Sequence, residues 1–171
     1  MGNNYQRLLG KDNMSIIGHG DIASVLPDRK DLLFFASGVS NSQEKRESEY
    51  QREKELLLKQ HGHIVYFSSL GVFNRKGRYF DHKREMEQLV KDVFTNYTII
   101  RLGNITFGKN PHTFINAYKL KPYTPKDEYR YIVDKEEFLH WIKLIPDWYC
   151  EINIPGQRMK VADAIKKYGH S

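Results

Sequence analysis

The chain contains one cysteine, Cys150, so no internal disulfide can form and a disulfide-stapled architecture is excluded. It also lacks any apolar run of the roughly 20 residues that a membrane span needs. The longest runs, LLFFA at 32–36 and IVYF at 64–67, reach only strand length. The opening MGNNYQRLLGKDN has no apolar core of signal-peptide type; with the single thiol, this leads us to expect a cytoplasmic protein. Glycine and proline number only 12 and 6 while aromatics reach 13%, a balance unlike that of collagen-like or disordered chains. Internal repeats and low-complexity tracts are missing too. With 171 residues, 40% of them hydrophobic, the chain suits one domain, read as residues 14–171 behind an N-terminal extension at 1–13.

Charge of one sign is likewise not concentrated anywhere. The 27 basic and 21 acidic residues give a net charge of +6, which would attract anions, but they interleave, as in QEKRESEYQREKE at 43–55. A dedicated nucleic-acid surface is therefore disfavoured, whereas a nucleotide or sugar-phosphate ligand could use the same charge. His61 and His63 have no neighbouring carboxylate or thiol in sequence, so no metal site is expected.

What is present is an alternation of short apolar runs and amphipathic stretches. Strands are predicted at 14–17, 32–36, 64–67, 98–102, 129–133 and 150–154. Helices are predicted at 21–26, 43–59, 79–94, 111–118, 134–144 and 161–167, with Asn41/Glu44 and Asp134/Glu137 read as capping pairs. In the helix at 79–94, Met86, Val90 and Val93 should face the core. Strands separated by helices imply an α/β fold with a mainly parallel sheet.

Three groups of residues stand where chemistry could sit. Gly18-His19-Gly20-Asp21-Ile22-Ala23 has the form G-x-G-x-x-A between a strand and a predicted helix, a turn whose amides can approach a pyrophosphate. A plain strand-to-helix turn reads the same way. Tyr79 and Lys83 lie one helical turn apart, so the ammonium should favour the phenolate and let the tyrosine exchange a proton near neutral pH. The same spacing recurs at Tyr50/Lys54 and Tyr131/Lys135, but the first lies within a charged helix and is read as a solvated face, and the second straddles a strand end. Only Tyr79/Lys83 opens a helix after a strand ending in hydroxyls. Ser69 ends that strand, where α/β sheets place ligands, and its hydroxyl could hold a reacting oxygen against the tyrosine or simply satisfy backbone.

The ordered segments GHGDIA, FFASGVSNS, VYFSSLGVF, YFDHK, TIIRLGNITFG and RYIVDKEEFLHWI resemble the extended short-chain dehydrogenase/reductase superfamily, in particular its NAD-dependent epimerase/dehydratase branch acting on nucleotide sugars. The resemblance implies a Rossmann-like sheet and NAD or NADP as cofactor. It matches Ser69, Tyr79 and Lys83 to the catalytic set, with Lys83 also holding the nicotinamide ribose. It matches Gly18, Gly20 and Ala23, with the intervening Asp21 and Ile22, to the pyrophosphate turn, and Ala36, Ser37 and Gly38 to a loop passing the cofactor. Ser69, Asn104 and Arg130 fall on the substrate side. It further implies a homodimer through the helices at 43–59 and 79–94.

The departures define a shortened form. Only 17 residues separate Gly18 from Phe35, and no acid closes the strand that follows, so the second and third strands of a dinucleotide half are expected to be missing, together with the ribose anchor. The first strand should then lie at a sheet edge, covered by residues 1–13 or by a second subunit. Ser69 and Tyr79 are ten residues apart, short for the family, and the substrate-side region at 110–171 is small. Two functions follow: an NAD(P)-dependent epimerase, dehydratase or reductase using Tyr79 in acid/base chemistry with hydride transfer, or a non-catalytic relative that binds a nucleotide sugar or a protein partner. His82 is read as a surface residue, Cys150 as lacking a nucleophile's partner, and Trp141 and Trp148 as core or interface.

Overall fold

The structure is a computed structural model that describes residues 15–170. In chain order the elements are β1 (Ile16–Ile17), β2 (Leu33–Phe35), α1 (Glu47–Leu58), β3 (Ile64–Ser69), α2 (Arg78–Val93), β4 (Tyr97–Leu102), β5 (Asn104–Ile105), α3 (Phe114–Leu120), β6 (Tyr129–Val133), α4 (Lys135–Lys143), β7 (Cys150–Ile154), β8 (Gln157–Lys160) and α5 (Val161–Tyr168). The expected strand at 14–17 is described only from Ser15, and the N-terminal extension at 1–13 lies outside the described residues.

Five strands form one sheet in the order β1-β2-β3-β4-β7, with every neighbouring pair parallel. The sequence of β3, IVYFSS, explains its central place: its first five residues are all buried, the pattern of a strand covered on both faces. On one face Phe34, Val65, Phe67, Ile100 and Leu102 pack with Phe138 and Ile142 of α4. On the other, Phe35, Ile64, Tyr66 and Ile99 meet Leu57 of α1 and Met86 and Val90 of α2. This is a Rossmann-like layering of helix, parallel sheet and helix. A smaller sheet, β5-β6-β8, pairs β5 parallel and β8 antiparallel to β6, with α3 and α5 packed nearby. It is the expected small C-terminal region.

Among the described residues β1 pairs only with β2, so the first strand lies at a sheet edge, as expected. Several local expectations are corrected. No α-helix forms at 21–26; a 3-10 turn, Ala23–Val25, stands there, because Pro27 holds Leu26 extended (ψ 138°) and leaves too few residues for a helix. α1 starts at Glu47, not 43. Asn41 and Glu44 do bond local amides, Asn41 Oδ1 accepting from Gln43 N at 2.9 Å and Glu44 Oε1 from Arg46 N at 2.9 Å, but they fix a turn ahead of the helix. α3 starts after Thr113, whose side chain caps it, and not at Pro111. Asp134 caps α4 through Glu137 N at 2.9 Å, as read. Met86 and Val90 are buried, whereas Val93 is 47% exposed at the frayed end of α2.

Candidate functional site

The parallel sheet delivers the turn after β1, the loop after β2 and the turn after β3 to one edge, the carboxyl end where such sheets bind ligands. Gly18 has φ 119°, and a β-carbon there would overlap the Ala36 carbonyl, so only glycine lets these two backbones touch. Gly20 is exposed with open space at its β-carbon position. Asp21 is committed elsewhere: its carboxylate accepts from the amides of Lys109 (2.8 Å) and Asn110 (2.9 Å), tying the segment after β5 to the glycine turn. Ile22 packs against the core, and Arg52 donates to the carbonyl (3.1 Å) and hydroxyl (3.3 Å) of Ser37.

Ser69 ends β3, and its Oγ accepts from Gly71 N at 3.1 Å, starting the 3-10 turn Leu70–Phe73. Its neighbour Ser68 donates to Glu87 at 2.6 Å. Tyr79 and Lys83 face the same way on α2, the Lys83 ammonium 5.7 Å from the Tyr79 ring centroid. Tyr79 is half-buried, and its hydroxyl makes no hydrogen bond among the described residues. Burial pushes the Tyr79 phenol up; Lys83 pulls it down, Glu53 pushes it up again, and the net direction is upward. Proximity to Lys83 thus does not produce the ready phenolate expected from spacing alone.

Burial is the main reason, and a buried cluster that the sequence reading missed adds to it. Glu53, fully buried on α1, accepts four donors: Val39 N (2.7 Å), the Tyr66 hydroxyl (2.7 Å), His82 Nε2 (2.9 Å) and Lys83 Nζ (3.2 Å). Lys83 Nζ also approaches the Tyr66 hydroxyl at 3.1 Å and is only 3% exposed. Burial alone would raise the Glu53 carboxyl, but Lys83, His82, Tyr66 and the Val39 amide outweigh it and hold it well below the carboxylate range. Burial would lower the Lys83 ammonium, and Glu53 turns that into a rise. His82 is therefore not a surface residue: it is fully buried, its ring tilted against that of Tyr50 at 4.6 Å between centroids, with Nδ1 unpartnered. Tyr50 is buried too, not on a solvated face, and its hydroxyl donates to the Glu44 carbonyl. The available signal was the spacing Tyr50, Glu53, Leu57, which puts a carboxylate on the apolar stripe of α1.

Asn104 and Arg130 belong to the smaller sheet. Asn104 Nδ2 donates to the Tyr131 carbonyl at 3.1 Å, while Arg130 grips Glu128 at 2.6 and 2.8 Å, lies over the Phe114 ring and borders a cavity of about 190 Å³ with Tyr123 and Lys126. The structure thus brings Gly18 against Ala36 and Gly38 against Lys83, places Ser69 and Tyr79 at the starts of successive helical segments, and puts Arg130 on the smaller sheet. A second cavity, about 380 Å³, lies at the opposite end of the sheet against Gln60, His61, His63 and Asn96. No cluster of three metal-ligating side chains occurs among the described residues. Cys150 donates to Thr98, and Trp148 is 64% exposed, so it is not core.

No protein-family model matches the chain, and the curated proteins give no match either. Solved structures do match. The UDP-glucose 4-epimerase of Thermotoga maritima in complex with UDP-glucose superposes with a TM-score of 0.60 at 12% identity, over 81% of this chain and 62% of that one. The Bordetella bronchiseptica enzyme WbmG in complex with NAD gives 0.59 at 13%, over 80% and 55%. The capsular polysaccharide assembling protein CapF of Staphylococcus aureus gives 0.56 at 16%, over 81% and 44%. The Rossmann-like fold is shared with these structures. The chain spans about half their length, and at such identities the likeness establishes architecture alone.

Structures of this fold solved with NAD invite a test of whether the residues present fit a dinucleotide. On the pyrophosphate side, Gly20 leaves room, but a three-residue 3-10 turn replaces the helix whose N-terminus would supply aligned amides. The Asp21 carboxylate adds negative charge beside that turn. On the adenosine side, β1 is the edge strand among the described residues, with no described neighbour to form a wall. On the nicotinamide side, the Lys83 ammonium is enclosed. The described residues do not fit a whole dinucleotide.

Proposed function

We propose that this chain is a shortened, non-catalytic relative of the nucleotide-sugar epimerases and dehydratases, binding a nucleotide sugar at the carboxyl end of its parallel sheet without a dinucleotide. One observation carries the reading. The Lys83 ammonium is closed inside with Glu53 and Tyr66, while the hydroxyls of Ser69 and Tyr79 keep their protons free for a ligand. In this reading Ser69 and Tyr79 donate to sugar hydroxyls, and Arg130, Lys126 and Asn104 supply charge and hydrogen bonds on the diphosphate side. Epimerase-type structures with UDP-glucose, and with NAD and UDP, support the ligand class.

Thermal unfolding with ligand tests it. A nucleotide sugar such as UDP-glucose at 100 times its dissociation constant adds about 2.7 kcal/mol of stability, which moves the midpoint of a chain this size by roughly 5 to 10 °C. Millimolar NAD(H) or NADP(H) should leave the midpoint in place. Stabilisation by either dinucleotide, or no response to any nucleotide sugar, would end the proposal.

The second reading, a working NAD(P)-dependent enzyme, is favoured by the one-turn spacing of Tyr79 and Lys83 beside Ser69 at one sheet edge. It requires turnover that disappears in Tyr79→Phe.

A further inference from the structure

We propose that Glu53 is a positioning residue that quiets the Tyr79–Lys83 pair: its carboxylate holds the Lys83 ammonium inside the fold and offsets part of that charge at Tyr79. The proposal rests on the non-catalytic reading and supplies its physical cause.

The geometry carries it. Glu53 Oε1 stands 3.2 Å from Lys83 Nζ, whereas the centroid of the Tyr79 ring is 5.7 Å away. An ammonium whose counter-charge is in contact acts on a third group as a dipole, and its effect falls off faster than that of a lone charge. Nor can the pair simply part. A β-carbon on Gly38 would lie 2.8 Å from Nζ and 2.9 Å from Oε1, so the backbone of the loop after β2 roofs it directly. Val39 N then fastens that loop to the other carboxylate oxygen. If Lys83 were to leave, Val39 N, Tyr66 and His82 would still bind Glu53, but the carboxylate would lose its compensating charge in a fully buried site. The groups acting on Tyr79 are Lys83 on its own helix and Glu53 from α1; those acting on Lys83 also include Glu87 from α2, and Tyr66 from β3 bonds it. Within this set Glu53 is the nearest negative charge to the ammonium.

The test is a direct titration of Tyr79, read as phenolate absorbance near 295 nm. Subtracting the matched Tyr79→Phe protein isolates it from the other tyrosines of the chain, 11 in all. Glu53→Gln keeps the shape of the side chain, removes its charge and leaves one acceptor oxygen in place of two, so the acidity of Tyr79 should rise about threefold or more. Lys83→Met removes the attracting charge and leaves the Glu53 carboxylate uncompensated, so the acidity of Tyr79 should fall about threefold or more. If Glu53→Gln leaves Tyr79 unchanged or less acidic, or if Lys83→Met leaves it unchanged or more acidic, the buried pair does not set the acidity of Tyr79 and the proposal is overturned. Should Glu53→Gln fail to give a cooperative unfolding transition, Lys83→Met decides alone. Because no ligand is present, this outcome is separate from that of the dinucleotide experiment, which can fail while the titration succeeds.

Discussion

At the scale of single residues, the three glycines near the sheet edge do different things, and substitution separates them. Gly18 combines φ 119° with backbone contact to Ala36, so alanine there must move the chain; Gly18→Ala should cost about 2 kcal/mol or more. Gly20 has ordinary φ and open space, and Gly20→Ala should change stability by less than about 0.5 kcal/mol. Gly38 faces side-chain tips that cannot yield, because Lys83 and Glu53 are paired beneath it; a cost of about 1 to 3 kcal/mol follows. Urea midpoints of the three variants check the ranking, and equal effects at positions 18 and 20 would show that the close approach to Ala36 does not constrain the turn. Ion pairs divide in the same way. Glu53→Ala strands a buried ammonium and should cost about 3 to 5 kcal/mol, whereas Lys54→Ala breaks a half-exposed pair with Glu85 and should cost less than about 1 kcal/mol.

At the scale of elements, α1, β3, α2 and the loop after β2 are joined through one carboxylate, and this gives stability a defined pH dependence. The Glu53 carboxyl is depressed in the folded protein, so its contribution is present above the unfolded value of about 4.3 and is lost as pH falls toward the folded value. The Lys83 ammonium is raised, so its contribution is present below the unfolded value of about 10.4 and is lost as pH rises through the folded one. Between pH 3 and 5 the urea midpoint of the wild-type chain should fall more steeply than that of Glu53→Gln; parallel slopes would mean that other carboxylates govern the acid limb. The same elements show how far the fold could be read. β3, β4 and α2 were legible because burial on two faces leaves unbroken apolar runs and burial on one leaves Met86 and Val90 at helical spacing. β5 and β8 were not: they are two and four residues long and are held by pairing with β6 and not by any periodicity of their own. Tyr79 and Lys83 could be named from spacing, but Glu53 lies 30 residues from Lys83, and a carboxylate amid EYQREKE looks solvated until the helix is docked.

At the scale of the whole molecule, α1 and α2 lie side by side, crosslinked at their surface by Arg78–Glu47 and Lys54–Glu85. The homodimer implied by family resemblance would pair these helices with those of a second copy. Their outward faces decide how strongly. They carry Glu47, Glu49, Arg52, Glu55, Asp81, Arg84, Glu85 and Asp92, with Leu58 and Val93 as exposed apolar residues at the helix ends. Such a surface buries little apolar area, so association must come largely from exposed charges of opposite sign, each pair worth less than about 1 kcal/mol. At 0.15 M salt the screening length is about 8 Å and at 1 M about 3 Å, which weakens every contact not formed at close range. The expected behaviour is a dimer at tens of micromolar protein in low salt that dissociates when salt is raised, with sedimentation velocity as the readout. Replacing both Arg52 and Arg84 by glutamate should give a monomer at either salt concentration, because each face then becomes strongly acidic and repels its copy. A wild-type chain that sediments as a monomer in low salt would exclude the α1–α2 surface as an interface, and a dimer indifferent to salt would place the contact on an apolar surface, such as the exposed Trp148 and Tyr149 beside the edge strand β7.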